Sequence, residues 1–332
     1  MMVAASLCGA STATEFALFA EARKSALSRL IDYDSAPSHD TFSRLLRLLD
    51  PQAFAHAFAV FAAGFAKALS ETRAGEGEVV AIDGKALRRA YEKGLAASPP
   101  LTVSAFATQT RLCLAAATPK SDENEIEAAL KVVELIDLTD KIVTADALHC
   151  HTRMADAIIG RGGNYLLALK GNRRHWRQQA HETLAQAHPA IAEQSERSHG
   201  RNEWRQAEVV AAPSPLMPGH AAFVRITAQR DQAKPLTRLF MASTLLSPQQ
   251  ALAVSRAHWQ VENRLHWILD VHLDEDLSRA RKDNAPANVA ILNRIARNIL
   301  QSADADKIPI RHRIKKCAWN DDYLISALSH MR

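Results

Sequence analysis

Cysteine is scarce and scattered: four residues, Cys8, Cys113, Cys150 and Cys317, with no CxxC pair among them. That excludes a dense disulfide framework, gives no thiolate zinc pattern and fits a reducing, intracellular setting. Aromatic residues make up only 6%, which argues against single-strand binding by extended base stacking. Long apolar runs are also missing. The longest, 53–66, is alanine-rich, contains His56 and falls short of a bilayer span. The N-terminus has no basic n-region, and Glu15 and Glu21 interrupt its apolar residues, so no secretory signal is expected. Neither sign of charge dominates: Lys+Arg number 41 against Asp+Glu 36, for a net charge of +5. Such a balance permits a nucleic-acid partner without requiring one, because local placement decides. What the chain does have is length and apolar content: 332 residues, 47% hydrophobic, enough for a sizeable core and about two domains.

Residues 1 to about 75 read as helical. Phe54, Phe58, Phe61 and Phe65 are spaced 4, 3 and 4, which places their rings on one helix face. Ser38 or Asp40 can cap the preceding helix, and Pro51 marks its end. Short helices joined by tight turns suit a DNA-binding unit, although on this pattern alone a plain helical bundle is the preferred reading. At Glu78 the texture changes. The run 79–82 reads as a buried strand ending in Asp83-Gly84-Lys85. Two more strands are expected at 101–107 and 112–117, a helix at 123–135, and a strand at 141–145 ending in Asp146. A helix over 154–159 and a strand over 164–169 follow, closing on Lys170-Gly171-Asn172. This order predicts a mixed sheet flanked by helices, with two acids brought to one sheet edge. From about 195 to 247 the pattern is strand-like and punctuated by Pro213, Pro215, Pro218 and Gly219, as in an inserted β region. After Pro248 the chain reads as helical, with breaks at Pro286 and Pro309.

The helix 259–270 carries the densest chemistry. Trp259, Glu262, His266 and Asp270 share one stripe at helical spacing. An acid between two tryptophans on an apolar helix is costly to bury without a cation or metal. Asp83, Asp146 and Glu262 offer three oxygen ligands and no sulfur, which suits Mg²⁺ or Mn²⁺ better than zinc. Two such ions about 4 Å apart serve in-line phosphodiester displacement, with Asp83 as the bridging acid. Two rival metal sites rank lower. His149, Cys150 and His151 are adjacent and diverge on a helix; Glu262, His266 and Asp270 would leave Asp83 and Asp146 unexplained. His149 suits a hydrogen bond to a ligand carboxylate. Basic residues cluster at Lys307, Arg311, Arg313, Lys315 and Lys316, at Lys170, Arg173, Arg174 and Arg177, and at Lys85, Arg88 and Arg89. Beside a phosphodiester site such groups are expected to contact phosphates.

Four segments taken together, Ala81-Ile82-Asp83-Gly84-Lys85, Thr144-Ala145-Asp146-Ala147-Leu148-His149, Tyr165 to Asn172 and His258 to Trp267, resemble the signatures of a bacterial group. That group is the H-repeat-associated insertion-sequence transposases, of the DDE class. The likeness extends to Pro37 to Phe42, to His199-Gly200-Arg201-Asn202-Glu203, and to Glu275-Asp276 with Arg279 and Arg281, so it covers nearly the whole chain in order. It implies an α/β, ribonuclease H-like catalytic core over 76–332, carrying a β-rich insertion, behind an N-terminal helical region (1–75) for DNA-end recognition. It implies Asp83, Asp146 and Glu262 as catalytic metal ligands for two Mg²⁺ ions, with Mn²⁺ as substitute, and His149 and His266 behind them. The expected DNA contacts are Lys85, Arg88, Lys170, Asn172, Arg173, Arg201, Asn263, Arg279 and Arg281. The implied reaction is cleavage of double-stranded DNA at the element's terminal inverted repeats, then attack of the freed 3′-hydroxyl on target DNA. Pairing two ends implies a homo-oligomer; a cytoplasmic, nucleoid-associated protein with no membrane partner is expected. Members of the group carry a further helical stretch before Ala4-Ala5-Ser6-Leu7-Cys8-Gly9, so this chain is expected to start late relative to them. Two alternatives stay open: a carboxylate-metal nuclease without strand transfer, and a non-catalytic or decayed DNA-binding relative.

Overall fold

Side-chain caps mark where the N-terminal helices begin. The computed structural model describes residues 1–70, 77–90, 99–198, 200–303 and 308–329. Lys307, His199 and the expected boundary near residue 75 lie outside the described residues. Helix α1 (Met2–Leu7) is followed by α2 (Ala13–Ala22), where Thr12 and Glu15 form a reciprocal capping box, and by α3 (Lys24–Leu27). Ser38 rather than Asp40 caps α4 (His39–Leu48): its hydroxyl accepts from the Thr41 N–H at 3.3 Å. Pro51 opens α5 (Pro51–Ser70), bent by 92° from α4. Phe58 is buried, and Phe54, Phe61 and Phe65 pack partly buried against the apolar clusters. Among the described residues no single helix is long and apolar enough to cross a membrane.

The core then alternates as its sequence pattern predicts: β1 (Val79–Ala86), β2 (Leu101–Ala107), β3 (Leu112–Ala117), α6 (Glu125–Glu134), β4 (Ile142–Ala145), α7 (Thr152–Gly160) and β5 (Asn164–Leu169). Helix α8 (Arg174–Gln186) leads to β6 (Ala190–Ser198), β7 (Arg201–Ala211), β8 (Ala222–Arg230) and β9 (Leu236–Ala242). The remainder is helical: α9 (Pro248–His258), a π-helical stretch Val261–His266, α10 (Trp267–His272), α11 (Ala285–Ser302), α12 (Ile310–Trp319) and α13 (Asp321–Ser329).

Among the described residues the strands form one nine-stranded sheet, ordered β3-β2-β1-β4-β5-β9-β8-β7-β6. Strands β1, β4 and β5 are parallel, and β2 and β3 form an antiparallel meander on one side. This is the ribonuclease H-like arrangement, an α/β core. The inserted β region is not a separate sheet, because β9 pairs antiparallel with β5 and extends the core sheet. It also starts earlier than expected, at Ala190. Strand β6 (sequence AIAEQSERS) lies at the sheet's outer edge and buries little, so its apolar alternation fades.

Alternation along β1 sorts the two faces. Val80 and Ile82 join the cluster under α6 and α7, whereas Ala81 faces the cluster built by α1, α5, the π-helical stretch and α11. Asp83 and Lys85 continue the Ala81 side. The N-terminal helices therefore share a core with the strand that carries Asp83. Helix α11 is buried along nearly its whole length and contains Asn288, Asn293, Arg294, Arg297 and Asn298. These polar groups complete the backbone around them. The Asn298 side chain, for example, accepts from the Cys113 N–H (2.9 Å) and donates to its C=O (2.7 Å), closing edge strand β3.

Candidate active site

Asp83 lies on the interior strand β1, and Asp146 follows neighbouring β4, so parallel pairing delivers both acids to one end of the sheet. Asp146 caps a short 3₁₀ turn, with its Oδ1 accepting from the Leu148 N–H at 2.9 Å. Glu262 arrives on the π-helical stretch. Glu262 and His266, four residues apart on that stretch, both lie against Asp83. Ligand atoms of Asp83, Glu262 and His266 lie within 4.8 Å of one another, and His266 Nδ1 is 3.7 Å from Asp83 Oδ2. Asp146 falls outside that tight trio, yet its charge reaches Asp83.

The electrostatics mark Asp83 as the centre. Burial, Glu262, Asp146 and Glu125 together push its carboxyl up to about 7, against a backbone hydrogen bond from Gly84 that lowers it. Burial, with the charges of Arg294, Lys85 and His258, pushes His266 down to about 3, so its imidazole is neutral. His149 is 1% exposed, with Nε2 at 3.5 Å from Glu125 Oε1 and 4.0 Å from Asp146 Oδ1. Among the described residues neither of its ring nitrogens has a hydrogen-bond partner, although both are buried.

Sequence reasoning passed over Glu125, the first residue of α6. A Cβ at Gly84 would sit 2.5 Å from Glu125 Oε1, so the glycine after Asp83 is what lets this fourth carboxylate lie against β1. The Asp83-Gly84 pair was the available signal, but the partner is forty-one residues away.

Several expectations change. Glu262 is exposed, as are Trp259 (46%) and Trp267 (53%), so the burial penalty expected for Glu262 falls on Asp83 instead. Asp270 belongs to a different cluster. Lys85, expected at DNA, is 7% exposed, and its Nζ lies 2.6 Å from Asp270, 2.8 Å from Asp276 and 3.6 Å from Glu275. Burial works against its charge, but these three acids hold its pKa above the ordinary value. Spent there, Lys85 faces neither solvent nor a phosphate. Glu275 is also paired at 2.8 Å with the fully buried Arg294, which donates to Ser104 Oγ. Among the described residues no metal-holding group gathers around Cys150, whose thiol is buried against Met241 and pushed up to about 12 by that burial. His151 instead caps α7 through Nδ1, accepting from the Met154 N–H.

The other expected DNA contacts divide by place. Lys170, Asn172 and Arg173 follow β5 and are tied to the Asp146 loop: Asn172 donates to the Ala147 C=O (2.7 Å) and Arg173 to the Cys150 C=O (3.0 Å). Arg88 is 78% exposed and lies 3.4 Å from Asp276. Arg281 donates to the Arg89 C=O at 3.0 Å, while Arg279 lines a groove of about 780 Å³ shared with Thr12, Arg47 and Lys282. Asn263 is exposed beside Glu262. Arg201 is set apart from them, at the tip of the β6–β7 hairpin. Strand β7 is five strands from β1, roughly 24 Å at normal strand spacing.

A ribonuclease H-like sheet with one carboxylate on its first strand and another just after its fourth defines a class of phosphodiester-processing cores. The chain belongs to the family described as Transposase DDE domain, which its residues 74–299 match; residues 1–62 match the DDE_Tnp_1-associated family. Similar proteins in Escherichia coli K12 include the H repeat-associated putative transposase YhhI and the putative protein YbfL. Each is 29% identical, over 99% of this chain and 90% of the relative. A piggyBac transposase in a synaptic complex with hairpin DNA aligns with the whole chain over 70% of its own length, at 12% identity and a TM-score of 0.44.

Proposed function

We propose that the chain is the transposase of an insertion sequence. It cuts double-stranded DNA at the element's ends with Mg²⁺ and joins the freed 3′-hydroxyl to target DNA. The observation that carries this reading is the gathering of Glu262, Asp146 and Glu125 around Asp83, whose carboxyl burial and these acids push up to about 7 while Lys85 is spent on other acids. Uncompensated oxygen ligands of this kind fit a hard divalent cation, Mg²⁺ with Mn²⁺ as substitute. Asp83 and Glu262 would hold one ion beside neutral His266, and Asp83 with Asp146 the second, with Glu125 alongside. Bound there, two ions supply Lewis acidity to the attacking and leaving oxygens of an in-line displacement.

The chain's own groups do the rest. His149, whose Nε2 stands 3.5 Å from Glu125 and 4.0 Å from Asp146, is placed to donate a hydrogen bond to one of these carboxylates in the loaded site. Lys170, Asn172 and Arg173, on a loop bonded to the Asp146 turn, hold the scissile strand's phosphates. Arg88, Arg279, Arg281 and Asn263 contact flanking backbone, and Arg201 reaches DNA farther out. The N-terminal region recognises ends. The 92° bend between α4 and α5, with Arg44 exposed on α4 while Arg47 is paired with Asp283 at 2.6 Å, suits a helix-turn-helix entry into a groove. A pair of protomers would bring two ends together.

The test is a cleavage and strand-transfer assay on DNA carrying the element's inverted repeats. Asp83→Asn and Glu262→Gln are expected to bind these ends like the parent while losing Mg²⁺-dependent cleavage by about 10³-fold or more. Parent-level cleavage by Asp83→Asn would overturn the ligand assignment. End binding by a parent that never cuts would identify a binding-only relative instead.

A further inference from the structure

Helix α9, the π-helical stretch and the strands of the inserted region enclose a groove of about 1,320 Å³, in which Asn263 alone has been assigned a role above. Seven arginine and lysine side chains line it against one carboxylate, Glu203. Glu203 is already engaged by Arg205 at 2.8 Å and Arg230 at 3.2 Å, and Arg256 pairs with Glu196. Lys234, Arg238 and Arg264 have no carboxylate within 4.0 Å among the described residues. Like charges gathered on a concave wall repel one another and focus a positive potential that a polyanion relieves.

Two further features point to nucleic acid. Trp259 is 46% exposed in this groove, with the Arg238 guanidinium 4.9 Å from its ring centroid. An aromatic face among cations suits a sugar–phosphate backbone with its bases. The groove is also built rigidly. Fully buried Arg297 donates to the main-chain carbonyls of Arg264 (3.0 Å) and Arg111, which pins the wall without consuming the Arg264 side chain. Sheet register places the other wall: the row through Ile82 runs to Ala145, Leu167 and Met241, and β9 begins five residues before Met241. The β8–β9 hairpin therefore extends about 17 Å beyond that row, on the side where Asp83 follows Ile82.

We infer that this groove binds the phosphate backbone of a double-stranded DNA segment and holds it alongside the helix that carries Glu262. Lys234, Arg238 and Arg264 contact phosphates, and Trp259 packs against the nucleotide between them. The inference rests on the transposase reading and adds a second track for DNA, distinct from the Lys170–Arg173 loop.

The experiment measures binding of duplex DNA by the full chain across a salt series, with tryptophan fluorescence as a second readout. In the triple variant Lys234→Ala/Arg238→Ala/Arg264→Ala, all three side chains are exposed, so folding is not at issue. Affinity near 0.15 M salt is expected to fall by about tenfold or more, and the slope of log K against log salt to shrink by roughly 2–3. DNA is expected to quench the parent's tryptophan fluorescence, and Trp259→Phe is expected to lose that quench. Parent-like affinity and slope in the triple variant would overturn the groove assignment, as would an intact quench in Trp259→Phe. A parent protein that fails to bind duplex DNA at all would instead overturn the transposase reading.

Discussion

Burial and three neighbouring carboxylates hold the Asp83 carboxyl at about 7 instead of 3.8, and that single shift sets how the site answers to pH and metal. An acid whose folded pKa exceeds its unfolded one favours the folded state below the unfolded value and loses that contribution as pH rises through the folded value. The metal-free protein is therefore expected to lose stability from this group between about pH 4 and pH 7. A divalent cation takes the place of the lost proton. At a fixed Mg²⁺ concentration the gain in Tm is expected to be larger at pH 8 than at pH 6. Asp83→Asn should melt higher than the parent at pH 8 without metal and show no Mg²⁺ response. Equal gains at both pH values, read by differential scanning fluorimetry, would break the link. At this scale the sequence was informative about which acids follow compact apolar runs, because such a run is a local property. Asp146 does stand just past β4, whereas β1 continues through Asp83 to Ala86, paired with β2. The sequence was silent on how each charge is spent. Lys85 looked like a phosphate ligand until its three acids, more than 180 positions downstream, came into contact with it.

Elements show the same division between what is local and what is not. Strands β2, β3 and β5 follow compact apolar runs, and the pattern predicts their bounds without error. The π-helical stretch escaped, because a reading at 3.6 residues per turn assumes the very spacing that Val261–His266 abandons. Buried polar residues of α11 were equally opaque, since their partners lie elsewhere in the chain, on α4, β2, the β2–β3 turn, β3 and the π turn and at Glu275. Arg297 is the clearest of them. It is fully buried, pushed down to about 9 by that burial and by the charges of Arg111 and Arg264, and lies 5.3 Å from the Phe106 ring. Its two main-chain acceptors would lose their donor in Arg297→Leu. That variant is expected to lower stability by about 2 kcal/mol or more in urea denaturation, each orphaned carbonyl costing about 1–3 kcal/mol. Stability equal to the parent's would show that the strut carries no load.

For the molecule as a whole, acid sensitivity should exceed what its carboxylates alone impose. Burial pushes His151, His220 and His258 down to about 4 and His266 to about 3; His220, for example, accepts from the Leu216 N–H at 3.3 Å. Neutral in the fold and protonated when unfolded, each contributes stability that is present above the ordinary value of 6.5 and lost as pH falls through the folded value. Unfolding by acid is expected to be steep below about pH 6, with proton uptake exceeding one per molecule; a flat stability profile down to pH 4 would contradict it. The continuous sheet has a different consequence. Because β9 zips along β5, excising the inserted strands would not trim a loop but strip an interior strand of its partner. The remnant would present a naked, apolar row of peptide groups from Leu166 to Leu169, ready to pair with the next chain. Shortened descendants of such a protein should thus survive by losing hairpin tips rather than the seam strand, and laboratory truncations that cut at the seam should aggregate.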